Sequence, residues 1–238
     1  MKKFLVVIIL ITATFLLGCS AIHSNSVSGS GEYINKSYNQ KGFNKIVLSN
    51  AISLNIKQGN IYNIKVRMDK SFANYLNIEV KNKTFYAYLD RGNTYNDSDI
   101  EIDMVVPGIE YIKLSSASSL YMDDFKLSEI TIQLSGASNL EGNIEADEIN
   151  ITGSGASNLK LRGETDKIEV NISGASDGYL EELTAKEAIF SVSGASDLKL
   201  NVEDKIQGTV SGASDLEVYG NPKIKNFNTS GVSDIKFK

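Results

Sequence analysis

The chain has 238 residues, a formal net charge of -5, one cysteine, one histidine and no tryptophan. An acidic chain lacks the basic footprint that binds nucleic acid, and a lone cysteine supports neither an internal disulfide nor a cysteine-based zinc site. With 19 glycines and two prolines, the composition fits a β-rich chain punctuated by turns.

Met1-Lys2-Lys3 is followed by an apolar run from Phe4 to Leu17. A bilayer-spanning helix needs about 20 apolar residues, so this shorter run reads as a secretion signal, residues 1–18. It ends in Leu16-Leu17-Gly18-Cys19, which resembles the bacterial lipobox. That resemblance implies cleavage before Cys19 and acylation of the new N-terminus, giving attachment to a membrane through two or three acyl chains. Loss of Lys2 and Lys3 takes the net charge from -5 to -7. Residues 19–31 then form the lipidated Cys19 and a flexible Ser/Gly tether. Ser20 after the cysteine resembles the Gram-negative sorting pattern for the outer membrane. His23, in the tether, reads as a solvated linker residue.

Residues 32–110 read as an N-terminal β lobe. Short apolar-alternating segments recur at Ile46-Val47-Leu48, Leu54-Asn55-Ile56, Ile64-Lys65-Val66, Ile78-Glu79-Val80, Phe85–Tyr88 and Ile100-Glu101-Ile102. Gly59-Asn60 and Arg91-Gly92-Asn93 mark turns. No 19-residue period is visible here, so the lobe is predicted as a sandwich or as irregular coils, capping one open end of the C-terminal region.

Residues 111–238 carry a repeat. Ser115-Ser116-Ala117-Ser118 returns as Ser-Gly-Ala-Ser at Ser135, Ser154, Ser173, Ser193 and Ser211, and as Ser230-Gly231-Val232-Ser233, at spacings of 20, 19, 19, 20, 18 and 19. Helix-pair repeats need about 33 residues or more. A period near 19 suits one turn of a β-solenoid, with coils about 4.8 Å apart and equivalent residues stacked. Alternating apolar residues precede each motif (Ile130, Ile132, Leu134; Ile149, Ile151; Ile168, Val170, Ile172), and a Leu or Ile usually follows it. Gly in the motif is suited to a left-handed corner, and Ala to the meeting of core and turn. Gly178-Tyr179-Leu180 breaks the fourth copy and predicts a one-residue bulge. Glu181–Ala188 has helix-forming composition but aligns with strand in the other copies. At the C-terminus, Lys236 and Lys238 flank Phe237 as gatekeepers.

Between the apolar positions, outward residues form ladders of neutral polar side chains. Asn150, Thr152, Asn171, Thr209 and Asn228 are the candidate binding face, although the same ladders also serve simply to solvate the sheet. After the motif, Glu141 beside Lys160, and Lys199, Glu217, Lys236 in series, predict cross-strand ion pairs. Asp177, Asp197, Asp215 and Asp234 share one slot in successive coils. Carboxylates so stacked repel by about 1 kcal/mol per neighbour. Either each is satisfied by its own turn or a cation such as Ca²⁺ bridges them.

Phe43, Ile46, Val47, Ile56, Gln58-Gly59 and Val66, the Val105-Val106-Pro107 strand end, the Ser-Gly-Ala-Ser motif, and Val218-Tyr219-Gly220-Asn221-Pro222 before Ser230-Gly231 resemble the auto-transporter adhesin head GIN domain family (DUF2807). The resemblance implies an all-β, right-handed parallel β-helix and a surface or periplasmic location. It supplies no catalytic residues, metal or cofactor. The expected function is a surface-anchored, non-catalytic binding or adhesion module whose partner is a glycan or a surface protein. The alternatives are a structural or signalling envelope lipoprotein with a protein partner and, for its plentiful carboxylates, a polysaccharide-active enzyme.

Overall fold

In a computed structural model, residues 25–238 are described. Cys19, the signal-peptide reading and His23 lie outside the described residues. The sequence predicts a tether through Gly31, but Asn25–Ser28 is a strand, β1, paired in parallel with β8 (Asn93–Asn96). The Asn96 amide explains the pairing: it donates to the Ser26 and Ser28 hydroxyls at 2.9 and 3.4 Å. The next turn is held by buried Asp69, which accepts from the Gly31 N–H at 2.6 Å, the Ser30 hydroxyl at 3.0 Å and the Ser71 N–H at 2.8 Å. Burial works to raise the Asp69 pKa, but these hydrogen bonds outweigh it and hold the carboxyl well below the usual range.

The repeat region is a parallel β-solenoid. Long strands β11 (Ser119–Leu134), β12 (Asn139–Gly153), β13 (Asn158–Ile172), β14 (Asp177–Val192) and β15 (Asp197–Val210) pair side by side in parallel. The next coil is split into β16 (Asp215–Tyr219) and β17 (Ile224–Thr229), and β18 (Asp234–Phe237) stacks on β16 to begin a further one. Equivalent side chains stack in register: Ile130, Ile149, Ile168 and Ala188 share one inward column, and Leu120, Leu140 and Leu159 another. All are buried. Glu181–Ala188 is strand, so stacking overrides its helical composition.

The irregularity of the fourth copy falls slightly later than predicted. Asp177 and Gly178 stay in register with Asn158 and Leu159 before them and with Asp197 and Leu198 after. Gly178 therefore occupies the inward Leu slot, and a Cβ there would lie 2.7 Å from the Leu198 Cδ1. Against β13 one extra residue enters between Tyr179 and Glu182, as the one-residue bulge predicts, and against β15 the register jumps from Leu180 to Thr184.

The lobe is not separate from the solenoid. β3 (Lys45–Leu48) pairs in parallel with β10 (Tyr111–Leu114), and β4 (Ile52–Gln58) with β11. A further coil, β7 (Thr84–Leu89) and β9 (Ile100–Val106), stacks on β3 and β4. The spatial order is thus 84–106, then 43–58, then 111 onward, which differs from chain order. Antiparallel strands close this end: β6 (Leu76–Lys81) on β7, and β5 (Asn63–Asp69) on β9 with β2 (Tyr33–Tyr38) outside it. Phe43 packs against Tyr62 and Phe85, with ring centroids 5.0 and 5.2 Å apart, and continues the core into the cap.

The opposite end is covered more thinly. Val232 is 86% exposed and Ile224 57%. Phe227 and Phe237 pair at 5.8 Å, with Lys225 4.2 Å over the Phe237 ring. Lys236 reaches Asp234 and Asp215, and Lys238 reaches Glu217 at 3.3 Å.

Candidate functional site

The Ser-Gly-Ala-Ser corner sets which residues face outward. Gly136, Gly155, Gly174, Gly194, Gly212 and Gly231 all have φ between +73° and +89°, and Asn50 and Ser116 take the same left-handed conformation in the first two corners. From Ser116 to Gly212 the carbonyl of the corner accepts the N–H of a residue one coil on, as in Ala156 to Gly136 and Ala175 to Gly155 at 2.7 Å. A Cβ on Gly155 would lie 2.6 Å from the Gly136 oxygen. Glycine is required there by conformation and by the approach of the next coil.

Strand parity resumes at once, and it places the motif's alanine outward, not in the core. Ala137, Ala156 and Ala175 are exposed, while the second serine of each copy from Ser118 to Ser214 is buried. These hydroxyls bond along the stack. The Ser157 and Ser176 hydroxyl oxygens are 3.1 Å apart, and the Ser176 and Ser196 N–H groups donate to the hydroxyls of Ser196 and Ser214 at 3.3 and 3.2 Å. Ser118 at the head of the column has no partner for its hydroxyl among the described residues.

The strand before the corner carries the predicted face. Gln133, Thr152, Asn171, Ser191, Thr209 and Asn228 stack in one unbroken outward ladder. Asn150 is not in it: two residues upstream, it stacks between Thr131 and Glu169 in the adjacent ladder. Asn171 donates to Glu169 at 3.1 Å. Lys167, 3.0 Å from Glu148, holds that carboxyl below its usual range, with a smaller lowering from the Asn150 amide. Thr152, Ser191, Thr209 and Asn228 make no side-chain hydrogen bond among the described residues, so their donors and acceptors are free for a ligand. This arrangement can offer neutral hydrogen bonds at the coil spacing, about 4.8 Å.

The strand after the corner carries the aspartate column. Asn139, Asn158, Asp177, Asp197, Asp215 and Asp234 stack as predicted. Backbone N–H groups satisfy part of it: Asp177 accepts from the Asp197 N–H of the next coil at 3.3 Å, and Asp234 from the adjacent Ile235 N–H at 2.9 Å. Lys236 lies 3.7 Å from Asp215 and 3.4 Å from Asp234. Among the described residues no group of three or more His, Cys, Asp or Glu side chains is disposed to hold a metal ion. The adjoining charge ladder pairs diagonally, not directly across: Glu141 takes Arg162 at 3.0 Å, and Lys160 reaches Glu182 at 3.7 Å. Diagonal neighbours lie within reach of long side chains such as these.

Sequence reasoning passed over two exposed aromatics in that same ladder, Tyr121 and Tyr179. Their signal was present: each is the second residue after the motif's Asn, Asp or Ser slot, where other copies carry Glu or Lys.

Parallel coils capped by an antiparallel lobe, with long outward polar ladders, define a β-solenoid. Residues 42–222 match the family model described as "putative auto-transporter adhesin, head GIN domain", and the chain belongs to that family. No protein of curated function matches it. Among solved structures, the fold is shared with a "putative adhesin" from Bacteroides fragilis, at 20% identity and a TM-score of 0.85, covering 89% of this chain and all of that one. A "putative lipid binding protein" from Parabacteroides distasonis aligns at 15% identity and 0.71, covering 89% and 99%. A "putative adhesin" from Parabacteroides merdae aligns at 17% and 0.69, covering 90% and 100%.

Proposed function

We propose that the chain is a non-catalytic adhesion or binding module, held at the cell envelope through lipid on Cys19 and presenting its solenoid to the outside. Membership of an adhesin family supports an adhesion-like role at the cell surface or envelope. The observation that carries the reading further is the ladder from Gln133 to Asn228. Six neutral polar side chains repeat at one coil position without a charge among them, and four have no partner among the described residues. Repetitive faces of this kind suit extended ligands, glycan or protein.

Two measurements test the proposal. Labelling of intact cells with a membrane-impermeant reagent, with Cys19→Ser as the control, reports exposure and anchoring; the expected result is labelling that is lost to the medium in the variant. Binding of the full chain to arrays of glycans and matrix proteins, with and without EDTA, reports adhesion. A saturable ligand whose affinity falls in Thr152→Ala or Asn171→Ala supports the ladder as its site. Protection from the label with no array ligand would move the assignment to an envelope lipoprotein with a protein partner.

A further inference from the structure

A second surface, where the solenoid meets its cap, has the makings of a site. β11, β4, β9 and β5 lie side by side there, the first three parallel and the last antiparallel. Their outward residues line a cleft of about 540 Å³. Tyr121, 46% exposed, forms one wall, and Val105 adds an apolar patch opposite. Asn55 and Asp103 continue the Tyr121 row, with Lys65 beyond them; Asp123 and Lys57 belong to the neighbouring row.

The charges in this cleft are not spent on each other. Lys57 is the cross-strand partner of Asp123, and Lys65 of Asp103, yet neither pair forms an ion pair. Elsewhere on the solenoid, charged neighbours do pair, as Lys167 does with Glu148 at 3.0 Å. Asn55 is fixed by donating to Glu101 at 2.9 Å and Asp103 at 3.2 Å, which leaves its carbonyl oxygen free to accept. The cleft is therefore neutral as a whole and carries two ammonium donors, two carboxylate acceptors and the side-chain amides of Asn55 and Asn63 around an exposed aromatic ring.

We propose that this cleft binds a neutral sugar ring of a glycan, stacked on Tyr121. An anionic ligand would call for donors alone, and a cation for acceptors alone. Hydroxyl groups donate and accept, so a hydroxyl-rich ring uses the mixed set. The same ring has an apolar C–H face for the tyrosine, and aromatic anchors flanked by a few placed polar groups are the usual makeup of such pockets. The proposal rests on the binding reading above and names a ligand class and a place different from the neutral ladder.

The test uses the full chain and titrates neutral hexasaccharides (gluco-, manno- and xylo-configured) against oligogalacturonate, followed by calorimetry. Saturable binding of a neutral hexasaccharide is expected. Tyr121→Ala should weaken it by at least about tenfold, while Tyr121→Phe stays within about twofold, because the ring and not the hydroxyl carries the contact. Asp103→Asn should weaken it by about fivefold. Tyr121 points to solvent, so an unchanged melting temperature in Tyr121→Ala separates lost binding from lost folding. Binding unaffected by Tyr121→Ala but lost in Thr152→Ala would overturn the cleft and keep the adhesion reading. Preference for oligogalacturonate, or no neutral ligand at all, would also overturn it, and array binding to a matrix protein would still leave the module an adhesin.

Discussion

The two halves of the molecule reach the same coil geometry by different means. In the repeat stack, each position is specified by the same residue type one coil earlier: Gly155 sits on Gly136, Leu159 on Leu140, Ser176 on Ser157. In the lobe, coils are assembled from pieces distant in the chain, and an aromatic cluster of Phe43, Tyr62 and Phe85 stands where the stack has an aliphatic column. Order in the stack is local and repeated, so one copy can be damaged without removing the pattern. Order in the cap depends on single residues that have no second copy.

That contrast ranks the expected effects of substitution. Phe43→Ala should cost the most, about 4 kcal/mol, because it empties the aromatic junction between coil and cap; chemical denaturation would read the loss. Gly155→Ala should come next at about 3 kcal/mol, from the left-handed φ and the carbonyl of Gly136 in its path. Ala156→Ser one residue on, exposed and without a positive φ, should be nearly silent in the same measurement. A Gly155→Ala variant as stable as its parent would remove the corner argument altogether.

Asp69 gives a pH-dependent effect confined to the cap. Its carboxyl titrates lower folded than unfolded, so its contribution is complete above about pH 4 and is lost as the pH falls below that toward its lowered pKa. Asp69→Asn should therefore weaken hydrogen-exchange protection of 25–31 at pH 7 and reduce the difference between pH 7 and pH 3. Ser157→Ala, which removes one link of the buried hydroxyl column, should cost about 1 kcal/mol. Arg162→Ala should change stability by no more than about 0.5 kcal/mol, since its partners Glu141 and Glu182 stay solvated.

The repeat stack is legible in the sequence because its physics is periodic. A 19-residue spacing and alternating apolar residues give coil, register and outward ladders without further information. The face from Thr152 to Asn228 comes out of that spacing, and only Asn150 falls one ladder away from it. The lobe is harder to read because its coil is interrupted. Ser49-Asn50-Ala51, between Leu48 and Leu54, stands at the corner that Ser115-Ser116-Ala117 fills one coil on, with Asn50 at φ +66° in place of glycine and Ala51 also left-handed at +57°. It lies 66 residues upstream of its neighbour in space, so no short period reveals it. The motif's alanine lies outside the core for a simpler reason: small side chains suit either side of a corner, and parity counted from Leu140 places Ser138 inside.

The out-of-order stacking of the lobe is the claim on which the cap and its cleft depend. It can be tested by disulfide trapping in the chain with Cys19 replaced by serine. Val47 and Lys113 are partners on adjacent parallel strands, about 4.8 Å apart and within reach of a disulfide; Tyr86 lies one strand further from Lys113. Oxidation should link V47C/K113C rapidly and leave Y86C/K113C reduced. Rapid linkage of the second pair with none of the first would place residues 84–106 directly against the repeat stack and contradict this account.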